Sequence, residues 1–146
     1  MTPKQFITFR LNDLSIGLDI LKVREINRLL DITPVQHAPP HVRGLVNLRG
    51  QAVTVFDLGV RLGLGPRSMT DQTHNIILKT DDVGLLVDSI GDVEEVTAEG
   101  MEAPPANLVQ IGREFIECVV KLQKGLLVIL SSEKILESPA TGGGFA

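Results

Sequence analysis

Apolar and polar residues alternate along many short segments of this chain. In residues 5–11, QFITFRL, the side chains of Ile7, Phe9 and Leu11 fall on one face and those between them on the other. A two-residue period of this kind is typical of a half-buried β-strand. Similar runs recur in SIGLDI, GLVNL, AVTVF, NIILK, VGLLVDSI, EFIECVVKLQ and LLVILS. The pattern predicts a chain built mainly of short strands joined by turns.

The first stretch with helical spacing follows the second predicted strand. Asp19 is placed to cap a short helix, because an aspartate side chain can accept a hydrogen bond from the first turn. Ile20, Val23 and Ile26 would share one side of that helix, which we expect to end near Asn27.

Two more brief helices and three irregular segments complete the outline. Asp57 is expected to cap the helix LGVRL, with Gly63 as its end, and SEKILE predicts one or two turns near the C-terminus. The polar residues 63–74 predict an exposed connector, and GDVEEVTAEGMEAPPANL alternates weakly before becoming a loop. Residues 139–146, PATGGGFA, predict a flexible tail.

The order of these elements predicts an all-β fold. Many short strands with a few single-turn helices are typical of small barrels or sandwiches, and two sub-barrels would account for the break between the two halves of the pattern. A chain of 146 residues can bury one sizeable core, so we expect residues 1–146 to form one domain.

Composition and charge exclude several classes of partner. The chain has no tryptophan or tyrosine and five phenylalanines, so the core must consist of Val, Ile and Leu, which favour sheet. Its formal net charge of −4 argues against a nucleic-acid or anionic-membrane binder, because phosphate contact needs clustered Lys and Arg. No apolar run approaches the ~20 residues of a spanning helix. We therefore expect a cytoplasmic protein with no direct membrane insertion.

The residue patterns of metal sites and enzymes are missing. His37, His41 and His74 are not joined to cysteines or carboxylates at ligand spacing, and the serines lie outside any GxSxG motif. Cys118, the one cysteine, sits in the apolar run IECVV and reads as a small core residue. We expect no metal, no cofactor and no catalytic activity.

The segment VRGLVNLRGQ, residues 42–51, predicts half of a β-hairpin. Its glycines, Gly44 and Gly50, are expected where the backbone needs a positive φ or a close approach. Asn47 and Arg49 would project from the opposite face to the apolar residues between them. Arg49 could form a charge-assisted pair with Glu25. Spacing alone favours the other interpretation, that Arg49 is simply an exposed turn residue.

Several motifs together resemble one known family. The chain contains FITFRL, GLDILKVREI, APPHVRGLVNLRGQAVTVFDL, GLGL, VGLLVDSIGDV, LLVIL and SEKIL in this order, and it resembles the CheW family of chemotaxis coupling proteins from about Phe6 to Leu136. It departs from the family pattern at Thr54, where proline is common, at Cys118, where glycine is usual, and at Ser131, where aspartate is usual.

The resemblance implies a non-catalytic adaptor with two interleaved SH3-like β-barrel lobes. Such a protein would bridge the CheW-like regulatory domain of the histidine kinase CheA and the cytoplasmic tips of chemoreceptors, and it would be recruited to receptor arrays at the membrane. Glu25 and Arg49 match a charge pair that the family uses near a groove between the lobes. We expect the apolar lining of that groove to include Val23, Leu29, Leu30 and Val35, although ordinary core packing is an alternative for them.

Two other functions remain open at this point. A scaffold of a surface-motility or other kinase pathway would have nearly the same sequence. A small-ligand-binding β-barrel would share the composition, and a deep apolar pocket closed within one lobe would favour it.

Overall fold

The computed structural model of the protein describes residues 2–28, 31–106 and 110–137. Within these ranges the chain forms eleven strands in two sheets and two short α-helices, so the predicted all-β fold is confirmed. The strands are β1 (Lys4–Leu11), β2 (Leu14–Asp19), β3 (Val23–Arg28), β4 (Val42–Leu48), β5 (Gln51–Asp57), β6 (His74–Leu78), β7 (Val83–Val87), β8 (Ser89–Val96), β9 (Met101–Glu102), β10 (Ile116–Leu122) and β11 (Gly125–Leu130). The helices are α1 (Leu58–Leu62) and α2 (Ser132–Leu136).

The two sheets divide the strands between the ends and the middle of the chain. The first sheet has the order β8-β1-β2-β11-β10-β9, and with α2 it makes up what we call lobe 1. The second sheet has the order β3-β6-β7-β5-β4, and with α1 it makes up lobe 2. The chain leaves lobe 1 after β2, completes lobe 2, and returns through Asp88 into β8. Lobe 2 is thus inserted into lobe 1 in sequence.

The second sheet curls so that its two edge strands approach each other. β3 and β4 lie at opposite edges, yet Thr33, in the segment between them, pairs with Leu45 of β4 through two backbone hydrogen bonds of 2.8 Å. Glu25 of β3 also contacts Arg49, which follows β4. Both contacts require the sheet to roll up, as in a small SH3-like barrel.

The largest hydrophobic cluster lies on the seam between the lobes. Lobe 1 contributes buried residues from β1, β2, β10, β11 and α2, and lobe 2 contributes them from β6, β7 and α1. Examples are Phe9 and Ile16 from lobe 1 and Leu58, Ile76 and Leu85 from lobe 2, each at most 1% exposed. Two smaller clusters fill the lobes separately. Because the lobes share their main core, each buries apolar surface that it would otherwise expose.

The helix predicted after Asp19 is wrong beyond its first turn. The Asp19 side chain accepts a hydrogen bond from the Leu21 backbone N–H at 2.9 Å, but the helical segment is a 3-10 turn covering Ile20–Lys22. Val23 then begins β3, in which Ile26 is opposite Ile76 of β6. Branched side chains at this spacing suit either element locally, and pairing with β6 selects the strand.

Two further boundaries differ from the prediction. The run VGLLVDSI is not one strand, because the chain breaks at Asp88 between β7 and β8. β8 then continues to Val96 through a segment for which the sequence predicts weak alternation, because its acidic residues lie on an edge strand that pairs only with β1. The connector 63–74 is not exposed throughout, since Arg67 and Thr73 are buried.

Glycine at position 44 is required by the curl of the second sheet. Gly44 has a φ of +148°, and a Cβ atom there would overlap the carbonyl oxygen of Thr33. Thr33 approaches this closely because it pairs with Leu45, the next residue of β4. Gly50, by contrast, has a φ of +84° and open space around it, so only its backbone conformation favours glycine.

Candidate functional site

The hairpin that joins β4 and β5 presents a charged tip on lobe 2. Arg49 and Gly50 form its two-residue turn with φ values of +50° and +84°, as a type I′ turn requires. The Asn47 side chain fixes this turn, since its Oδ1 accepts a hydrogen bond from the Gly50 backbone N–H at 2.9 Å. The Arg49 side chain is 71% exposed.

Arg49 points across the lobe to Glu25. Its Nη2 donates a hydrogen bond to Glu25 Oε2, and the Asn27 side chain donates to Glu25 Oε1 at 3.0 Å. The hydrogen bond from Arg49, and then that from Asn27, lower the pKa of the Glu25 carboxyl. The carboxylate therefore stays ionised at neutral pH, and the pair is lost only when acid protonates Glu25.

A second polar network lies beside this pair. Asp82, in the turn between β6 and β7, accepts hydrogen bonds from Gln51 at 2.7 Å and from Arg24 at 3.4 Å. Arg24 also donates to the backbone carbonyl of Lys79 at 3.2 Å. We call Arg24, Glu25, Arg49, Gln51 and Asp82 the hairpin surface. Sequence reasoning missed Arg24, Gln51 and Asp82, because only the fold brings the turn at Asp82 beside the hairpin.

Of the four apolar residues expected to line the groove, the structure describes Val23 and Val35, and these two differ in exposure. Val23 is half-buried and packs against the seam core. This is the ordinary core packing that was the alternative to lining the groove. Val35 is 43% exposed, in the segment between β3 and β4. Leu29 and Leu30 lie outside the described residues, as does the predicted tail at 139–146.

A cleft of about 150 Å³ opens between the lobes. Its described lining comes from the 3-10 turn after β2, from the end of β6 with the turn that follows, and from α2. The lining residues are Leu21, Lys22, Leu78, Lys79, Thr80, Asp81, Ser132, Glu133 and Leu136. Leu21 is 70% exposed, the highest value among the large hydrophobic residues described. None of these was singled out from the sequence, and neither Val23 nor Val35 is among them.

A second cavity, of about 210 Å³, opens on lobe 1. Phe9, Ile90, Leu122 and Leu126 contribute to its lining. They alternate there with charged and hydroxyl side chains, namely Thr8, Arg10, Ser15, Ser89, Asp92, Glu94 and Lys124. This is not the deep apolar pocket that would favour a small-ligand-binding barrel.

The described residues offer neither a cluster of metal ligands nor a membrane-spanning helix. Residues 2–28, 31–106 and 110–137 contain no group of three or more His, Cys, Asp or Glu side chains arranged to hold a metal ion. In the same part of the chain, no helix has the length and apolar character needed to cross a membrane.

Two sheets that share one core, the second of them curled and carrying a charged hairpin, define a two-lobed all-β domain of the scaffold type. The family model described as "CheW-like domain" matches residues 5–140, and the chain belongs to this family. The resemblance inferred from the motifs is thereby confirmed.

Individual relatives agree with the family assignment. The chain is 31% identical over 140 residues to "Chemotaxis protein CheW" of Treponema pallidum, which covers 92% of this chain and 82% of the relative. It is 32% identical over 137 residues to the protein of the same name from Klebsiella aerogenes, with the same coverage. The crystal structure of scaffolding protein TtCheW from Thermoanaerobacter tengcongensis matches with a TM-score of 0.85 and 29% identity, covering 94% of this chain and 90% of that one. The chain is a chemotaxis adaptor.

Proposed function

We propose that this adaptor couples the cytoplasmic tips of chemoreceptors to the histidine kinase CheA and catalyses no reaction itself. In this proposal it acts in the cytoplasm and joins receptor arrays at the membrane through its partners. The observation that carries the proposal is the Glu25–Arg49 pair. Arg49 is largely exposed, yet the type I′ turn and the contact with Glu25 hold it in one place. A fixed and exposed charge of this kind can set the register of a partner.

The cleft between the lobes supplies the apolar part of a binding site. Leu21 and Leu136 offer apolar contacts, while Lys22, Lys79 and Glu133 place charges around them. A receptor tip is a helical hairpin, and helices bind grooves through a few apolar anchors with charged side chains at the rim. We infer that the receptor tip contacts this cleft and that the regulatory domain of CheA binds a separate surface of the adaptor.

The individual contacts can be weak and still control the kinase. The cleft is small, so burial of one or two side chains supplies only a few kcal/mol. In an array, many copies bind at once, and the effective concentration of each contact rises. A change in the receptor then alters the kinase through differences in binding free energy, without chemistry in the adaptor.

Replacing Leu21 with glutamate tests the cleft. Leu21→Glu is expected to weaken binding of a chemoreceptor cytoplasmic fragment about tenfold, because it removes an apolar anchor worth about 1.5 kcal/mol. Met69→Glu is the matched control, since Met69 is also an exposed large hydrophobic residue but lies in the connector between α1 and β6. Titration calorimetry with the receptor fragment measures both variants.

The same titrations test the proposed function as a whole. The wild-type chain is expected to bind both the receptor fragment and the CheW-like regulatory domain of CheA. If it binds neither, the proposed function is wrong. If Met69→Glu weakens receptor binding as much as Leu21→Glu does, the cleft is not the receptor site.

A further inference from the structure

Arg61 joins the two lobes at their helices. It belongs to α1 of lobe 2, but its guanidinium caps the C-terminal end of α2 in lobe 1. Its Nε donates to the Ile135 carbonyl at 2.8 Å, and its Nη2 donates to the carbonyls of Lys134 at 3.1 Å and Glu137 at 2.6 Å. The guanidinium also lies 4.8 Å from the ring centroid of Phe115. One side chain thus fixes the last turn of a helix in the other lobe.

Arg67 joins the lobes a second time, from the connector between α1 and β6. Its backbone N–H donates to Asp57 at the end of β5, at 2.8 Å. Its Nη1 donates to Asp88, where the chain returns to lobe 1, at 2.8 Å, and its Nη2 donates to Asn12 in the β1–β2 turn at 3.1 Å. Arg67 is only 5% exposed and Asp57 is fully buried, so their contact lies in a medium of low dielectric.

The surroundings of Arg67 are shaped to receive it. A Cβ atom at Gly59 of α1 would overlap the Arg67 guanidinium, so the absence of a side chain there leaves its space free. Asp57 also accepts a hydrogen bond from Arg43 at 3.2 Å. Two carboxylates therefore face two guanidinium groups, and the buried charges balance.

We propose that Arg61 and Arg67 are positioning residues that fix the angle between the two lobes, so that the adaptor works as one rigid block. The seam core holds the lobes together, but apolar contact is non-directional and permits sliding. Hydrogen bonds from a planar guanidinium to acceptors on the other lobe are directional and resist sliding. The two arginines therefore set the orientation that the core leaves free.

Under the proposed function, a fixed angle between the lobes matters for signalling. A rigid adaptor passes a receptor movement to the kinase by moving as a whole, because its two partner surfaces keep a constant relative orientation. An adaptor with a hinge between its lobes would absorb the same movement.

Distances between spin labels on the two lobes test directly whether the angle between the lobes is fixed. One label is attached at Ala52→Cys, an exposed position on β5, and the other at Lys121→Cys, an exposed position on β10, with Cys118→Ala removing the native thiol. Pulsed electron–electron double resonance then gives the distribution of distances between the two labels in the full chain. The labelled protein with Arg61 and Arg67 unchanged is expected to give one narrow distribution of distances.

The test variant combines Arg61→Gln with Asn12→Gly. It removes the cap on α2 and one acceptor of Arg67, while glycine keeps the φ of +55° found at Asn12. The matched control combines Arg28→Gln with His37→Gly. Arg28 donates to a backbone carbonyl, that of Asp71, within lobe 2, and His37 is an exposed residue with a φ of +62°.

The test variant is expected to lose the single narrow distribution, while the control keeps it. A lower melting temperature with an unchanged distribution would show that the arginines stabilise the fold without setting the angle, and it would overturn the proposal. A broad distribution in the labelled protein with both arginines unchanged would overturn the proposal as well. Neither result depends on partners. Failure of the proposal that Arg61 and Arg67 fix the angle is therefore distinguishable from failure of the proposed function. With partners, the test variant should bind each fragment normally but lose receptor control of the kinase.

Discussion

Replacing Arg49 with glutamate is expected to weaken receptor binding by about 3 kcal/mol, roughly a hundredfold, and to remove receptor control of the kinase. The change deletes a cation whose position is fixed by the hairpin turn and places an anion beside Glu25. A partner carboxylate that pairs with Arg49 would then meet two like charges. Titration calorimetry with the receptor fragment gives the affinity, and a kinase assay with receptor present gives the control.

The fold is expected to survive this change. Arg49 is 71% exposed, and exposed ion pairs contribute about 1 kcal/mol or less to stability. Circular dichroism and urea unfolding of Arg49→Glu should therefore resemble those of the wild type. Arg28→Glu is the control, because it makes the same charge change at an exposed position on β3, the strand that carries Glu25.

A charge swap separates a structural role of the pair from recognition. The double variant Glu25→Arg with Arg49→Glu restores an ion pair between the edges of the second sheet but reverses its direction. If the partner reads the charge of Arg49, the double variant binds the receptor fragment as poorly as Arg49→Glu does. Recovery of wild-type affinity would contradict that role, since the pair would then serve only to join the two edges.

Replacing Arg67 with leucine is expected to lower the free energy of unfolding by about 3–5 kcal/mol, because it breaks the buried ion pair with Asp57 and takes the guanidinium away from Asp88. Asp57 is fully buried and would retain Arg43, whereas Asp88 would lose its only guanidinium contact among the described residues. Small domains are stable by about 5–15 kcal/mol in total, so the loss is large. Urea unfolding followed by circular dichroism measures it.

Arg113→Leu is the control for this prediction. Arg113 is exposed and donates to the Pro105 carbonyl at 3.3 Å, so its loss should change stability by no more than about 0.5 kcal/mol. A loss below about 1 kcal/mol for Arg67→Leu would mean that its contacts with the two aspartates contribute little, as for an exposed pair.

Periodicity predicts most strands of this fold because the alternation of apolar and polar residues lies within each short segment of sequence. The alternation of β1 and the caps of α1 at Asp57 and Gly63 are local features, and the structure reproduces them. The helix expected after Asp19 fails because the signal there is ambiguous. Val23 and Ile26 fit a helix at three-residue spacing, and only β6, about fifty residues away in sequence, makes that segment a strand.

The two lobe-joining arginines show what local reading cannot reach. Arg67 lies in a connector rich in Gly, Pro and polar residues, a composition that predicts exposure. Its partners Asn12, Asp57 and Asp88 are distant in sequence, and only the fold brings them together. The resemblance of KVREI and NLRG to family motifs supported the Glu25–Arg49 pairing, whereas spacing alone favoured an exposed turn arginine.

Two of the three departures from the family pattern, Thr54 and Ser131, have local explanations, whereas nothing in the structure explains the cysteine at position 118. Thr54 donates its backbone N–H to the Asp82 carbonyl at 2.9 Å, a hydrogen bond that proline could not make. Ser131 accepts a hydrogen bond from the Lys134 backbone N–H at 3.3 Å, so it caps α2 as an aspartate would. Cys118 is half-buried next to a register shift in β10, and burial raises the pKa of its thiol.

In the proposed function, this adaptor transmits the state of a chemoreceptor to a kinase. The most direct measurement is the rate of CheA autophosphorylation with chemoreceptors in membrane vesicles, with and without this chain, and with and without the receptor's ligand. Adding the chain is expected to make the kinase rate respond to the receptor ligand. A kinase rate that is the same with and without the chain, while the chain remains folded, would contradict it.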